Sequence, residues 1–326
     1  MHISWNLVAD IGGTNARFAA YLVDQPEVLY EFHHAVNEYP QFDQVLGVLT
    51  TEIEQMCGWR CPPEQVCFAV ACPVDNEIIR FTNSHWAFSR DQLMNCLNCS
   101  KVMLINDFEA LARGVNELGS DDLRQIGGGA PRTDKPKVIL GAGTGLGVAA
   151  LVPHNDGYQV IDSEGGHADF APVGDLQVEV LRYLRRSYSR VSLERLLSGA
   201  GLLNIYAALS HIHDHQSALT MPSEVVEQAL EDNQSIAAQT LDLFCEVIGS
   251  TAGNLALTYG ARGGIYVAGG IVPRFADYFI GSQFRTYFES KGRFVAYLEP
   301  IPTYLVTHAN LGLLGATKHI AIQRSY

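Results

Sequence analysis

Three glycine-rich turns in this chain have the composition of anion-binding loops. The first is Asp10-Ile11-Gly12-Gly13-Thr14-Asn15, the second runs from Gly141 through Gly143, Thr144 and Gly145 to Gly147, and the third is Ala268-Gly269-Gly270. Glycine lets backbone N–H groups converge on an anion with no Cβ in the way. The first two turns also hold a threonine hydroxyl, and the first begins at a carboxylate. A triphosphate with Mg²⁺ needs both, because magnesium takes oxygen ligands and often keeps waters between itself and the protein. Asp10 is the candidate for that carboxylate. Any one Gly-Gly turn reads as an ordinary hairpin connection; the three together favour phosphate binding. The string G-x-x-x-x-G-K-[ST] occurs nowhere, which excludes a P-loop. The Gly141 run lacks the G-x-G-x-x-G register and leads into an apolar, strand-like run, so the dinucleotide fingerprint fails as well.

A second set of side chains suits a polyol. Vicinal hydroxyls donate well to carboxylates and amides, and charged acceptors make the stronger bonds. Asn106, Asp107, Glu164, His167 and Glu194 supply that chemistry. Each has a plainer reading. Asp107 can cap a helix that starts at Phe108, and Glu194 falls in the first turn of a helix capped by Ser192, where a carboxylate is stabilising by itself. Glu164-Gly165-Gly166-His167 puts an acid and an imidazole on one turn, with glycines that leave room for a ring to approach. Two adjacent glycines argue against the helical spacing a His/Glu metal motif needs. His211, His213 and His215 around Asp214 read as a polar loop between helices. Cys96 with Cys99, and Cys57 with Cys61, read as free thiols.

These residues need elements to place them. Residues 6–11 read as a buried strand, the first glycine turn follows, and 17–23 resume a strand pattern. The same unit recurs later: 137–140, the Gly141–Gly147 run, then 148–152. The pair reads as an internal duplication. Between them lie a helix over 41–56, a strand over 66–71, a helix begun by Ser89 with Gln92 as a capping box, and a strand over 101–105. That last strand delivers Asn106 and Asp107 at its carboxyl end, where open α/β sheets put ligand groups. The second half is more helical, with helices over 176–188, after Pro222-Ser223, and over 235–259. A strand over 264–268, a helical segment around Phe275 and a closing helix over 311–322 follow.

A chain of 326 residues, with 47% apolar and 17% charged side chains, predicts two lobes with a substantial core. The formal charge of −13 opposes a phosphate backbone, so no nucleic-acid partner is expected. Seven cysteines, an odd number, predict reduced thiols in a cytoplasmic protein. No leader pattern and no apolar run of membrane-spanning length are present, so no membrane partner is expected. A homodimer is the default assembly.

The strings DIGGTNARFA (10–19), ACPVD (71–75), TNSHWAFS (82–89), LINDFEALA (104–112), GAGTGLGVA (141–149), SEGGHADFAP (163–172), ERLLSGAGL (194–202), VAGGIVPRF (267–275) and GLLGATKHI (312–320) resemble, in their order, the bacterial glucokinase family of the sugar kinase/actin/Hsp70 superfamily. The resemblance implies an α/β, two-lobed actin-like ATPase (ribonuclease H-like) fold, with a mixed sheet in each lobe and substrates meeting in an interlobe cleft. It implies a small lobe of residues 1–117 plus 308–326 and a large lobe of 118–307. It also implies ATP-dependent phosphorylation of glucose at the 6-hydroxyl, the first step of glycolysis. Asp107 would be the general base, and Asn106, Glu164, His167 and Glu194 would join it on the sugar. Asp10 would hold Mg²⁺ through water. Gly12, Gly13, Thr14, Gly143, Thr144 and Gly145 would meet the phosphates, and Gly269 and Gly270 the adenosine side. No cysteine lies between Cys99 and Cys245, which sets the chain apart from the repressor/open-reading-frame/kinase branch and its zinc-binding cysteines. Competing readings are a sugar-sensing regulator and a protein-triggered ATPase on the same fold. The first would need a DNA-binding element, and it is not expected because a phosphate loop beginning at Asp10 leaves no room for an N-terminal helix-turn-helix; the second has no use for a polyol pocket. Mannose, fructose and N-acetylhexosamines remain alternative sugars within the kinase reading.

Overall fold

The computed structural model describes residues 3–81, 84–155 and 157–324. Residues 1–2, Thr82 and Asn83 of the 82–89 string, residue 156 and residues 325–326 lie outside the described residues. Packing divides the chain into two compact units, Met1–Leu118 with Ala309–Tyr326 and Gly119–His308.

The first unit holds β1 (Trp5–Ile11), β2 (Asn15–Leu22), β3 (Tyr30–Ala35), α1 (Phe42–Cys57), β4 (Gln65–Val70), β5 (Ile78–Arg80), β6 (Ala87–Ser89), α2 (Arg90–Leu97), β7 (Val102–Asn106) and α3 (Asp107–Val115). Five strands form a mixed sheet in the order β3-β2-β1-β4-β7. Strand β1 is apolar except for Asn6 and Asp10, because both of its faces are covered. Trp5, Leu7, Ala9 and Ile11 join a core with Val45, Leu46 and Leu49 of α1, whereas Val8 faces Ala110 of α3. Helix α2 begins on the capping box expected at Ser89, whose hydroxyl accepts the Gln92 N–H at 3.1 Å.

The second unit holds β8 (Leu123–Gly127), β9 (Lys137–Ala142), β10 (Leu146–His154), β11 (Gly157–Ser163), α4 (Asp175–Leu184), α5 (Gly199–Ile212), α6 (Pro222–Glu231), α7 (Ile236–Tyr259), β12 (Gly264–Ala268), α8 (Ala276–Gly281), α9 (Phe284–Glu289), α10 (Val295–Leu298) and β13 (Thr303–Val306). Its sheet runs β11-β10-β9-β12-β13-β8. The helix expected over 176–188 stops at Leu184, because the next residues close tight turns: the Arg186 N–H donates to Tyr183 and the Ser187 N–H to Leu184. The last helix, α11 (Leu311–Arg324), belongs to the first unit. It places Leu313, Ala316 and Ile320 over Val8, Ala19 and Ile105.

Set side by side, β3-β2-β1-β4-β7 and β11-β10-β9-β12-β13 match in order and direction. In each, three antiparallel strands are followed by two parallel ones. The duplication read from the two glycine turns is therefore a duplication of whole sheets, with β8 added at one edge. Among the described residues, no helix is long and apolar enough to cross a membrane.

Candidate active site

In the first unit three parallel strands end in one row: Ile11 of β1 stands opposite Val70 of β4, and Val70 opposite Asn106 of β7. The 12–14 turn and the Asn106-Asp107 pair therefore leave the sheet at its carboxyl edge, the usual place for ligand groups. The Gly12 N–H closes the turn on the Asn15 carbonyl at 3.0 Å, and Thr14 lies exposed. Asn106 is the helix cap. Its Oδ1 accepts from the Phe108 N–H at 2.8 Å and the Glu109 N–H at 3.4 Å. Asp107 is the first residue of α3, one position earlier than the sequence suggested, and its Oδ1 also accepts from the Phe108 N–H, at 2.9 Å.

Asp10 points to the face of the sheet that α11 covers. A Cβ at Gly312 would stand 2.5 Å from its Oδ2, so glycine there makes room for the carboxylate. Burial pushes the Asp10 carboxyl above the usual carboxylate range, and the Arg17 guanidinium, 3.9 Å away, pulls the other way with less effect. A carboxylate so confined, with the Arg17 guanidinium no nearer than 3.9 Å, suits a cation. Among the described residues no group of three or more His, Cys, Asp or Glu side chains is arranged to hold a metal ion. A single carboxylate fits Mg²⁺ held mainly by phosphate and water.

In the second unit β9 and β12 run parallel with Gly141 opposite Ala268, so the 143–145 turn and Gly269-Gly270 emerge side by side. The Ile271 N–H donates to the Ala142 carbonyl at 3.2 Å and fastens the two segments. The 143–145 turn has the length of the 12–14 turn, and the Gly143 N–H closes it on the Gly145 carbonyl at 2.8 Å.

Glu164 precedes a 3₁₀ turn, Gly165–His167, whose first bond runs from the His167 N–H to the Glu164 carbonyl at 2.9 Å. The two side chains face each other with Nε2 and Oε2 3.9 Å apart and are largely exposed, 58% and 73%. The sequence expectation that the glycines leave space for a sugar ring is corrected here. A Cβ at Gly166 would stand 1.9 Å from the Leu146 carbonyl oxygen, so the space serves the approach of β10. Downstream, the Leu193 N–H donates to the Ala168 carbonyl at 2.9 Å, and Asp169 bridges to Ser192, bringing the 3₁₀ turn Leu193–Arg195 alongside. Ser192 makes no side-chain cap there, contrary to expectation. Glu194 turns its Oε2 to the Leu146 N–H at 3.0 Å. Glu164, His167 and Glu194 thus belong to one hydrogen-bonded block with the 143–145 turn.

Sequence reasoning missed the supporting groups: Arg17, Gly312, the Leu146 N–H, and the Gly199 N–H that donates to the Gly143 carbonyl at 2.9 Å. A glycine inside the closing helix was the one signal available for any of them; backbone donors leave no mark in the residue types.

A family model described as Glucokinase matches residues 7–323. Among relatives, a glucokinase of Hahella chejuensis is 41% identical over 317 residues, which cover 97% of each chain. One of Neisseria meningitidis is 44% identical over 310 residues, 95% of this chain and 93% of the relative. Among solved structures, a glucokinase from an Antarctic psychrotroph aligns with a TM-score of 0.83 at 31% identity, over 98% of this chain and 100% of that one. The glucokinase of Balamuthia mandrillaris in complex with glucose gives 0.83 at 22% identity, over 97% and 93% of the two chains. A ROK family glucokinase from Streptomyces griseus in complex with glucose and AMPPNP gives 0.62 at 19% identity, over 97% and 99%. At these last two identities the likeness is one of fold.

Proposed function

The chain belongs to the glucokinase family, and from that premise we propose that Asp107 is the general base as it transfers the γ-phosphoryl group of ATP to the 6-hydroxyl of glucose. It is an enzyme, an ATP-dependent glucose kinase with the actin-like fold. The observation that carries the residue assignment is the row Ile11, Val70, Asn106, which puts the 12–14 turn and Asp107 on the same edge of one sheet.

Phosphoryl transfer asks a protein for in-line positioning, charge neutralisation and a base. The O6–Pγ bond forms while the bond from Pγ to the β,γ-bridging oxygen breaks. ADP leaves with that electron pair, and the proton of the 6-hydroxyl passes to the Asp107 carboxylate. The Phe108 N–H holds that carboxylate at the start of α3. Asn106, Glu164, His167 and Glu194 orient glucose through its other hydroxyls. The N–H groups of Gly13 and Gly145 and the hydroxyls of Thr14 and Thr144 donate to the phosphates, Gly12 and Gly143 close the two turns that present them, and Gly269 and Gly270 lie on the adenosine side. Asp10 would hold Mg²⁺ through water, and the bound ion would neutralise phosphate charge. The product, glucose 6-phosphate, makes this the first step of glycolysis, in the cytoplasm. A homodimer is the default assembly, and the acidic charge of −13 disfavours nucleic acid as a partner.

The test is a coupled assay for phosphorylated product with Mg-ATP and, in turn, glucose, mannose, fructose, galactose, N-acetylmannosamine and water. Strong turnover on glucose, with little on the others, is expected. Consumption of ATP that no sugar raises above the water blank overturns the reading.

A further inference from the structure

Two hydrogen bonds in the second unit clamp the turn that carries Glu194 to the 143–145 turn. Glu194 Oε2 accepts the Leu146 N–H at 3.0 Å, and the Gly199 N–H at the start of α5 donates to the Gly143 carbonyl at 2.9 Å. The Ser198 hydroxyl stiffens the clamp: it donates to the Glu194 carbonyl at 2.8 Å and accepts from the Gly201 N–H at 3.0 Å.

We propose that Glu194 is a positioning residue shared by both substrates, one carboxylate oxygen holding the phosphate turn and the other a sugar hydroxyl, so that glucose and nucleotide each strengthen the other's binding. The inference rests on the glucose-kinase reading of the site. A carboxylate has two oxygens and about four acceptor positions, so the bond to Leu146 leaves capacity for a sugar. A ligand that orders this side chain from one side also fixes the groups on its other side, and such coupling is reciprocal.

Gly145 isolates the effect. A Cβ there would stand 2.4 Å from Glu194 Oε2, and among the described residues the atoms it would meet within 4 Å belong to Glu194. They lie at the tip of a flexible side chain, so Gly145→Ala displaces the carboxylate and leaves the turn itself unstrained.

Glucose is titrated calorimetrically into the full chain and its variants, without nucleotide and then with Mg-AMPPNP. In the unmodified chain AMPPNP should tighten glucose binding about fivefold or more. Gly145→Ala should weaken glucose binding about tenfold, as displacement of one charge-assisted hydrogen bond would. The coupling factor should fall towards one in Gly145→Ala and in Glu194→Gln. The latter adds no volume to the turn and gives the reading even if the alanine variant fails to fold. Unchanged glucose affinity and unchanged coupling in both variants overturn the inference alone. An unmodified chain that binds no glucose overturns the sugar reading and the inference with it.

Discussion

Asn106 and Asp107 divide their work in a way that residue type alone left open. The amide caps α3 through two backbone N–H groups, and the carboxylate occupies the first helical position. Replacing Asp107 by alanine therefore leaves the helix cap in place. The expected result is a fall in kcat of about 10² to 10⁴, the range for loss of a general base, with glucose affinity much less affected. Turnover and glucose titration on the same preparation check it, and near-normal turnover removes Asp107 from the mechanism. The pair was legible in the sequence because a buried strand ended in two polar residues. Ser192 was misread because a serine ahead of an acidic turn resembles a cap whether or not its hydroxyl turns inward, and here the residue is spent on a bridge to Asp169.

Helices α3 and α11 show packing overriding propensity. Glycine is poor in a helix interior, yet α11 carries Gly315 where a Cβ would stand 1.7 Å from the Ala110 carbonyl oxygen of α3. Gly315→Ala must push the helices apart. It should cost about 2–4 kcal/mol by urea unfolding, as overpacking at a contact with no slack does; wild-type stability would show that the crossing can relax. The same crossing buries His319. Burial, with a smaller push from the Arg113 charge, lowers its pKa from 6.5 to about 4. The Glu109 carboxylate lies 3.8 Å from Nδ1 but is already paired with Arg113 at 2.7 Å, which is why a nearby acid does not raise the imidazole. The unfolded chain then binds a proton that the folded chain refuses, so the stability this site contributes is complete above about pH 6.5 and is lost as pH falls toward 4. The site should account for about 3 kcal/mol across that window. Urea unfolding at pH 7 and pH 5, compared with His319→Leu, checks the sign: the variant should show a flatter pH dependence.

At the scale of the molecule, two equivalent sheets each present a three-residue turn, after β1 in one and β9 in the other, and the chain's last helix completes the first of its two units. Stopping the chain at His308 removes Leu313, Ala316 and Ile320 from the cluster around Val8, Ala19 and Ile105. Limited proteolysis of that truncation should cut first within residues 5–118 while 119–308 stay resistant; resistance equal to the full chain's overturns this. The sequence by itself determined the strand-turn-strand units, the glycine turns, the capping box at Ser89 and the polar pair at the end of β7. All of these are local, set by hydrophobic period and turn chemistry over a few residues. It passed over β3, β5, β6, β8, β11 and β13, where charged residues or shortness blur the period. Only the tertiary structure decided that the strands of the two halves share one order, that Gly166 makes room for β10, that Gly312 makes room for Asp10, and that Glu194 grips the backbone at Leu146. Each of those joins residues far apart in the chain, and such a contact is specified by packing and hydrogen-bond satisfaction in three dimensions, which no local pattern of residue types encodes.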